Sequence, residues 1–407
     1  MQSIPRGIYA FVIISVLSVS IWAAPGDIIS LNYERSYDPD QIRTFAAPLF
    51  AGYEQPIARY TVDVYQLVFE SRYPDGSLAR AYAQVFLPRF PDGEKDVRTL
   101  YVFAPGSTGL IDNCRASREH EAGIRWGLYR AHVLSHAGLG SIAIQPDYLG
   151  FRDSDEYQFY MVAAAEAAVL LDSIRVMDRV YGELDYQSVI STVNVAGGFS
   201  QGGHAILAAA DYNAEYAPDV TLHGVIGYGA TASPEKLMLE YPSVAPMMIY
   251  TYSRLYGEDV VDPDAILRPE YAQWLADDVL SQCVGAMSAY YPHHPEDLFT
   301  PEFYRSLRDG TLARDYPALA GVLRENTTGY RSYDTEVLLL QGTDDIVIFP
   351  ETQVDYARHL KRLSIDVDLR IFEGYRHDTR QIGFNDAREW MEELRDRMQI
   401  ALNEQQD

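Results

Sequence analysis

The sequence is poor in cysteine and lysine. Two cysteines in 407 residues are too few for a disulfide scaffold or a cysteine-rich zinc site. Only three of the 33 basic residues are lysine, and the 58 acidic residues give a net charge of −25. Such a charge repels phosphate backbones, so nucleic-acid binding is not expected. The chain also lacks internal repeats, low-complexity linkers and the glycine-rich fingerprints of P-loop and dinucleotide-binding proteins, and we expect no cofactor.

Residues 1–24 have the three parts of a secretory signal peptide. Arg6 is the only charge, an apolar run of fifteen residues begins at Ile8, and the small residues Ala23 and Ala24 close it. The run is shorter than the ~20 apolar residues that a membrane-spanning helix needs. We therefore expect an exported protein, secreted or periplasmic, with an uncleaved N-terminal anchor as the alternative.

Short apolar runs alternate with helix-like segments through most of the chain. Two β-rich segments, 60–69 and 79–87, flank a Pro-Asp-Gly turn and predict a hairpin at one edge of a sheet. The other predicted strands are continuous apolar runs at 99–104, 141–145, 193–196, 222–228, 337–341 and 367–372. Helices are predicted at about 119–137, 157–181, 201–215, 351–363 and 380–402. Uninterrupted apolar strands joined by helices predict an α/β fold with a mostly parallel, doubly wound sheet.

Residues 232–333 interrupt this alternation. They carry no good strand, have the pattern of short helices joined by proline-rich turns, and are too numerous for a structureless loop. We predict a helical cap here, inserted after the sixth core strand between core segments 25–231 and 334–407. The leading segment 25–58 is expected to pack on the outside of the core.

The strongest chemical signal is the sequence Gly198-Phe199-Ser200-Gln201-Gly202. It is a G-x-S-x-G motif between a short strand and an alanine-rich helix. There the serine lies on a tight turn that lifts its Oγ above the sheet, and side chains at the glycine positions would collide with neighbouring backbone. The N–H of Gln201 lies at a helix N-terminus, where it can bind an oxyanion. Ser200 is therefore the predicted nucleophile.

A nucleophilic serine needs a base, and the base needs a carboxylate that orients it. In α/β hydrolases these residues follow in the order serine, acid, histidine. Two aspartates lie just past the strand at 337–341. Asp345, three residues after Gly342, is favoured by its spacing, and Asp344 is the alternative. His377, in the loop after the last strand and 32 residues beyond Asp345, is the predicted base.

A second oxyanion donor is expected in the loop after the third core strand. The loop at 104–110 is rich in glycine and serine, and we favour the N–H of Thr108, with Ser107 as the alternative. The chain then reaches Cys114, which places this cysteine near the site and beneath the cap that holds Cys283. Since exported proteins meet an oxidising compartment, we predict a disulfide between these cysteines that pins the cap to the core.

Three other features are interpreted as structural, and a fourth is a weak modification signal. Asp147 closes a strand, and His204 lies on the helix that directly follows the turn of Ser200. His293-His294 has residue types that can bind a metal, but a helix start follows it, so no metal site is predicted. Asn326 begins a glycosylation sequon, which is a weak signal on its own.

The elbow from Gly198 to Ala205, the strand end at 146–148 and the loop from Ser107 to Cys114 together resemble the secretory lipases. This group comprises the fungal lipase-A type and its bacterial relatives within the α/β-hydrolase superfamily. The resemblance runs from about residue 60 to residue 390, and the cap matches only in position and helical character.

The resemblance implies a secreted, cofactor-free hydrolase of small-molecule or lipid esters, with a helical cap that shapes the acyl pocket. A transient contact between this cap and a lipid interface is expected. The family's triad falls on Ser200, Asp345 and His377, and its oxyanion donors fall near Thr108 and on Gln201. Two alternatives stay open: a serine peptidase of the same fold, and a catalytically inactive hydrolase that serves as a binding protein.

Overall fold

The computed structural model describes residues 23–119, 127–151, 157–331 and 333–404. Residues 1–22 of the predicted signal peptide lie outside the described part. No helix within these ranges is long and apolar enough to cross a membrane.

A nine-stranded sheet forms the centre of the described chain. Its strands are β1 (Ile28–Tyr37), β2 (Val62–Arg72), β3 (Leu78–Pro88), β4 (Asp96–Ala104), β5 (Ile142–Pro146), β6 (Val189–Phe199), β7 (Gly224–Tyr228), β8 (Glu336–Gly342) and β9 (Val367–Phe372). Their order across the sheet is β1-β2-β3-β5-β4-β6-β7-β8-β9. The first three pairings of this order are antiparallel and the other five are parallel, which confirms the mostly parallel sheet predicted from the sequence.

The leading segment differs from the prediction. Instead of packing outside the core, Ile28–Tyr37 forms β1 and pairs with β2, so the predicted hairpin of β2 and β3 does not end the sheet. The strand lacks an apolar run because it is an edge strand, half exposed along its length and irregular at two points of its register. The sixth strand predicted from the sequence is consequently β7 in the chain.

Helices cover both faces of the sheet. The first five are α1 (Pro39–Ala46), α2 (Tyr129–Gly138), α3 (Ala163–Arg175), α4 (Met177–Glu183) and α5 (Gln201–Tyr216). The last two are α16 (Pro350–Arg362) and α17 (Phe384–Glu404). Apolar side chains of α3, α5 and α16 pack on one face, and those of α2 and α17 pack on the other, so the strands between them are buried on both sides.

The described residues between β7 and β8 form ten α-helices of at most 12 residues and one 3-10 helix, Pro242–Val244. The α-helices are α6 (Pro234–Glu240), α7 (Ala245–Tyr256), α8 (Pro263–Ile266), α9 (Pro269–Ala272), α10 (Leu275–Val279), α11 (Val284–Tyr290), α12 (Pro295–Leu298), α13 (Pro301–Arg308), α14 (Leu312–Asp315) and α15 (Pro317–Glu325). Proline occupies the first turn of seven of them, where its missing N–H costs no helical hydrogen bond. We call residues 232–333 the cap segment.

The carboxyl ends of the parallel strands meet at one edge of the sheet. The loop after β4, the turn after β6 and the loops after β8 and β9 all begin at this edge. Ligands of open α/β sheets bind at this edge. Four of the five residues that the sequence assigns to catalysis lie in these connections, and the fifth, Gln201, is the first residue of α5.

Candidate active site

Ser200 lies on a strained turn between β6 and α5. Its backbone angles are φ 55° and ψ −113°, a region that residues other than glycine rarely occupy. A Cβ at Gly198 would lie 2.0 Å from the Gly202 carbonyl oxygen, and one at Gly202 would lie 2.0 Å from that of Ala104. The two glycines of the motif are thus needed because backbone crowds both positions. Ser200 itself is only partly buried and can be reached by a substrate.

Asp345, and not Asp344, contacts the predicted base. The Nδ1 of His377 lies 2.9 Å from Oδ2 of Asp345. Asp345 is 4% exposed, and its other oxygen accepts hydrogen bonds from the N–H groups of Val347 and Ile348. Asp344 is exposed and accepts a hydrogen bond from the neighbouring Thr343 hydroxyl. The spacing argument therefore selected the aspartate that the structure pairs with His377.

The electrostatics of Asp345 favour its ionised form. Burial alone would raise the pKa of this carboxyl group. The hydrogen bond and charge of His377, together with the two backbone N–H groups, outweigh burial and hold the pKa below its usual value. A carboxylate in this state can fix the tautomer of His377, with the proton on Nδ1, and stabilise the imidazolium.

The other ring nitrogen of His377 is available for proton transfer. In the described part of the chain, Nε2 is buried and has no hydrogen-bond partner. The ring lies 5.0 Å from that of Phe199, the residue before the nucleophile, and its Nδ1 would lie 2.9 Å from a Cβ at Gly229. Because Ser200 N donates to the carbonyl of Tyr228, next to Gly229, both residues lie at the carboxyl ends of β6 and β7.

The loop after β4 packs directly against the elbow. A Cβ at Gly202 would approach the carbonyls of both Ala104 and Pro105, which shows how close the two turns are. Thr108 is buried in this loop, whereas the Ser107 hydroxyl is hydrogen-bonded to that of Tyr160 at 2.8 Å. Gln201 is the first residue of α5, so its N–H has no partner within the helix. The two predicted donors thus belong to adjacent turns.

A disulfide joins this loop to the cap segment. Cys114 and Cys283 are bonded across 169 residues, which confirms the predicted pairing. The backbone is coupled at the same place: Gly109 forms a bridge with Cys283, and Val284 N donates to the Thr108 carbonyl at 2.8 Å. The disulfide therefore anchors the peptide that follows Thr108, in addition to holding the cap segment on the core.

The remaining predicted features have structural contacts. Asp147 accepts hydrogen bonds from the backbone and hydroxyl of Ser117, as expected for a turn residue. His293 lies against the ring of Tyr241, and the described residues contain no group of three or more His, Cys, Asp or Glu side chains that could hold a metal. Asn326 is 1% exposed with its amide hydrogen-bonded to Tyr256, so its sequon is inaccessible in the folded protein.

One residue near the site was missed at the level of sequence. Glu166 on α3 is buried and hydrogen-bonded to both Gln201 and His204. The available signal was a lone acid in the apolar sequence AAAEAAVLL, since an ionisable residue is rarely buried without a partner.

The sheet order, the strained serine elbow and the aspartate–histidine pair after β8 and β9 define an α/β hydrolase. The family model for secretory lipases matches residues 131–234, which include the elbow, so the resemblance to that family is confirmed over this segment. No curated protein sequence matches the chain.

Several solved structures have the same fold. A putative hydrolase from Legionella pneumophila has a TM-score of 0.74 at 16% identity, covering 90% of this chain and 98% of that one. The rice cell wall degrading esterase LipA from Xanthomonas oryzae has a TM-score of 0.68 at 18% identity, covering 86% and 92%. Candida antarctica lipase A has a TM-score of 0.62 at 14% identity, covering 87% and 78%. At these identities the likeness establishes the fold and leaves the substrate open.

Proposed function

We propose that the protein is a secreted serine hydrolase that cleaves carboxylic esters through an acyl-enzyme on Ser200. The observation that carries the proposal is the Asp345–His377 pair. Its histidine ring packs against Phe199, the residue before the strained Ser200, and its Nε2 has no partner among the described residues. The secretory-lipase match over the elbow and the named esterase and lipase among the similar structures support ester chemistry.

In this mechanism Ser200 Oγ attacks the ester carbonyl carbon while Nε2 of His377 takes the hydroxyl proton. The carbonyl oxygen becomes an oxyanion, which the N–H groups of Gln201 and Thr108 stabilise. Collapse of this intermediate breaks the ester bond, and His377 returns the proton to the leaving alcohol. Water, deprotonated by the same histidine, then attacks the acyl-enzyme and releases the carboxylic acid, regenerating Ser200.

Turnover of model substrates tests the proposal. Purified protein should hydrolyse p-nitrophenyl esters and leave aminoacyl p-nitroanilides intact, because the similar structures with named activities are an esterase and a lipase. Ser200→Ala should fold normally and lose on the order of 10⁴–10⁶ in rate, since triad members act as a unit. Preferential cleavage of the anilides would favour a peptidase. A folded wild type inactive on both substrates would favour a binding protein.

Export and lipid contact are parts of the same proposal. The disulfide and the secretory-lipase match support an oxidising destination, and residues 1–24 would direct the chain there. Large apolar side chains on the cap segment are exposed, among them Trp274, Leu280 and Tyr290, and they would contact a lipid interface transiently. Mass spectrometry of the exported protein should find Pro25 at its N-terminus, whereas a retained residue 1–24 segment would indicate an anchor.

A further inference from the structure

A second carboxylate–histidine pair lies directly beneath the elbow and takes no part in the proton transfers above. His204 follows Ser200 by four residues, one turn along α5. Its Nδ1 lies 2.5 Å from Oε2 of Glu166 on the neighbouring helix α3. Glu166 is 1% exposed and His204 is completely buried. Such a pair is by itself weak evidence for stability, because desolvation offsets much of the attraction.

The pair connects four parts of the chain. The second oxygen of Glu166 accepts hydrogen bonds from the Gln201 side chain at 2.7 Å and from Met161 N at 3.2 Å. Nε2 of His204 donates to the carbonyl of Asn326, at the end of the cap segment's last helix, at 2.6 Å. The Asn326 side chain in turn accepts from the N–H of Ala163, the first residue of α3.

The hydrogen bonds specify how protons are shared in this cluster. Nε2 of His204 faces a carbonyl and must carry a proton, so a second proton lies between Nδ1 and Glu166. Burial alone would lower the pKa of His204, but the charge and hydrogen bond of Glu166 raise it. The remaining Glu166 oxygen is thereby left to accept from Gln201.

We infer that Glu166 is a positioning residue. Supported by His204, it fixes the side chain of Gln201, and with it the oxyanion-binding N–H of Gln201, relative to the cap segment at Asn326. The inference rests on the proposed ester hydrolase function. The Gln201 side chain has one anchor, its hydrogen bond to Glu166, because its own carbonyl oxygen has no partner in the described residues. Loss of that anchor leaves the first peptide of α5 free to shift.

Two substitutions of Glu166 distinguish the effect of its hydrogen bonds from the effect of its negative charge. Glu166→Gln keeps an oxygen for Gln201 and Met161 and presents an amide N–H to Nδ1 of a neutral His204. Glu166→Leu keeps the volume and removes every hydrogen bond. Both acylation and deacylation pass through an oxyanion, so Glu166→Leu should lower kcat about 10- to 100-fold while KM changes less than about threefold. Glu166→Gln should restore kcat to within about threefold of wild type.

A transition-state analogue gives a readout that a purely structural role would not move. A trifluoromethyl ketone forms an oxyanion on the serine, so its affinity for Glu166→Leu should fall by the same factor as kcat. Gln201→Met, which keeps the backbone N–H but loses the anchor, should reproduce both effects and serves where Glu166→Leu does not fold. Asp172→Asn is the matched control. Asp172 is also a buried acid on α3, but it contacts Ser71 and Tyr216 and not Gln201, so the kcat of this variant should equal that of wild type.

Hydrogen exchange of the peptide spanning residues 199–205 tests the same inference without activity. Exchange should accelerate in Glu166→Leu and return to the wild-type rate in Glu166→Gln. Wild-type kcat and exchange in a folded Glu166→Leu would overturn the positioning role and leave the proposed function intact. A wild type without ester turnover would overturn the proposed function, while the exchange rates would still decide whether Glu166 holds the elbow.

Discussion

Two carboxylate–histidine pairs lie near Ser200, and they differ in what surrounds the histidine. His377 and Asp345 follow strands β9 and β8, and the His377 side chain is 17% exposed, with no partner for its Nε2 among the described residues. His204 and Glu166 join two helices, and both nitrogens of the fully buried His204 are hydrogen-bonded. The same residue types would therefore serve the two proposed tasks: proton transfer where one nitrogen has no partner among the described residues, and positioning where both nitrogens are hydrogen-bonded.

Removing each histidine should distinguish the two pairs most clearly. His377→Ala should lower kcat on the order of 10⁴–10⁶, because it removes the base. Its loss of stability should be the smaller of the two, because Asp345 keeps the hydrogen bonds from Val347 N and Ile348 N. His204→Ala should cost about 3–5 kcal/mol of unfolding free energy, since it leaves Glu166 buried without its partner, and should lower kcat far less. Ester turnover and thermal unfolding of both variants check this. Equal rate losses in two folded variants would show that His204 takes part in the chemistry.

Substituting each of the two aspartates after β8 tests which of them orients His377. Asp345→Asn should lower kcat by roughly 10⁴, because an amide cannot hold His377 in the required tautomer. Asp344→Asn should stay within about twofold of wild type, since its carboxylate is exposed and contacts only Thr343 among the described residues. Steady-state kinetics of both variants decide between them, and a larger defect in Asp344→Asn would reverse the choice.

Removing the disulfide tests whether the cap segment positions the loop after β4, which carries the proposed oxyanion donor Thr108. The double variant Cys114→Ser/Cys283→Ser should lower kcat about tenfold, because the peptide after Thr108 loses its covalent anchor. It should also lose up to about 5 kcal/mol of stability, as expected for opening a loop of this length. Thermal unfolding and kinetics across ester chain lengths measure both effects. Thiol titration of the denatured, unreduced wild type is the control, and two free thiols would contradict the bond.

The pH dependence of kcat/KM should reflect only the Asp345–His377 pair. Because the pKa of Asp345 lies below its usual value, this group stays ionised across the mildly acidic range. A base must be unprotonated to accept the Ser200 proton, so kcat/KM should fall on the acid limb, by about tenfold per pH unit where one group titrates. A slope of two would indicate a second titrating group, and a flat profile from about pH 5 to 8 would contradict a histidine base.

The sequence predicted those parts of the site that follow apolar strands. Continuous runs marked β4, β6, β8 and β9, and each is followed by a loop that carries a chemically distinctive residue, so topology alone brought Ser200, Asp345 and His377 together. Chain order supplied the rest, because the acid had to precede the base.

The parts that escaped prediction depend on partners distant in sequence. The edge strand β1 has mixed polar and apolar residues and is identified as a strand only by its pairing with β2. Glu166 is separated from His204 by 38 residues, and no local pattern indicates that they meet. Asn326 matches a glycosylation sequon, yet its side chain is buried against α3. Tertiary contacts decided all three.

Fluorophosphonate labelling followed by peptide mapping tests whether Ser200 is the nucleophile and His377 its base, because the probe reacts only with an activated serine. Wild type should carry one adduct, on the peptide that contains Ser200. Labelling should be lost in His377→Ala and retained in Glu166→Gln, where the second pair keeps its hydrogen bonds. An adduct on another residue, or undiminished labelling of Ser200 without His377, would contradict the assignment of nucleophile and base.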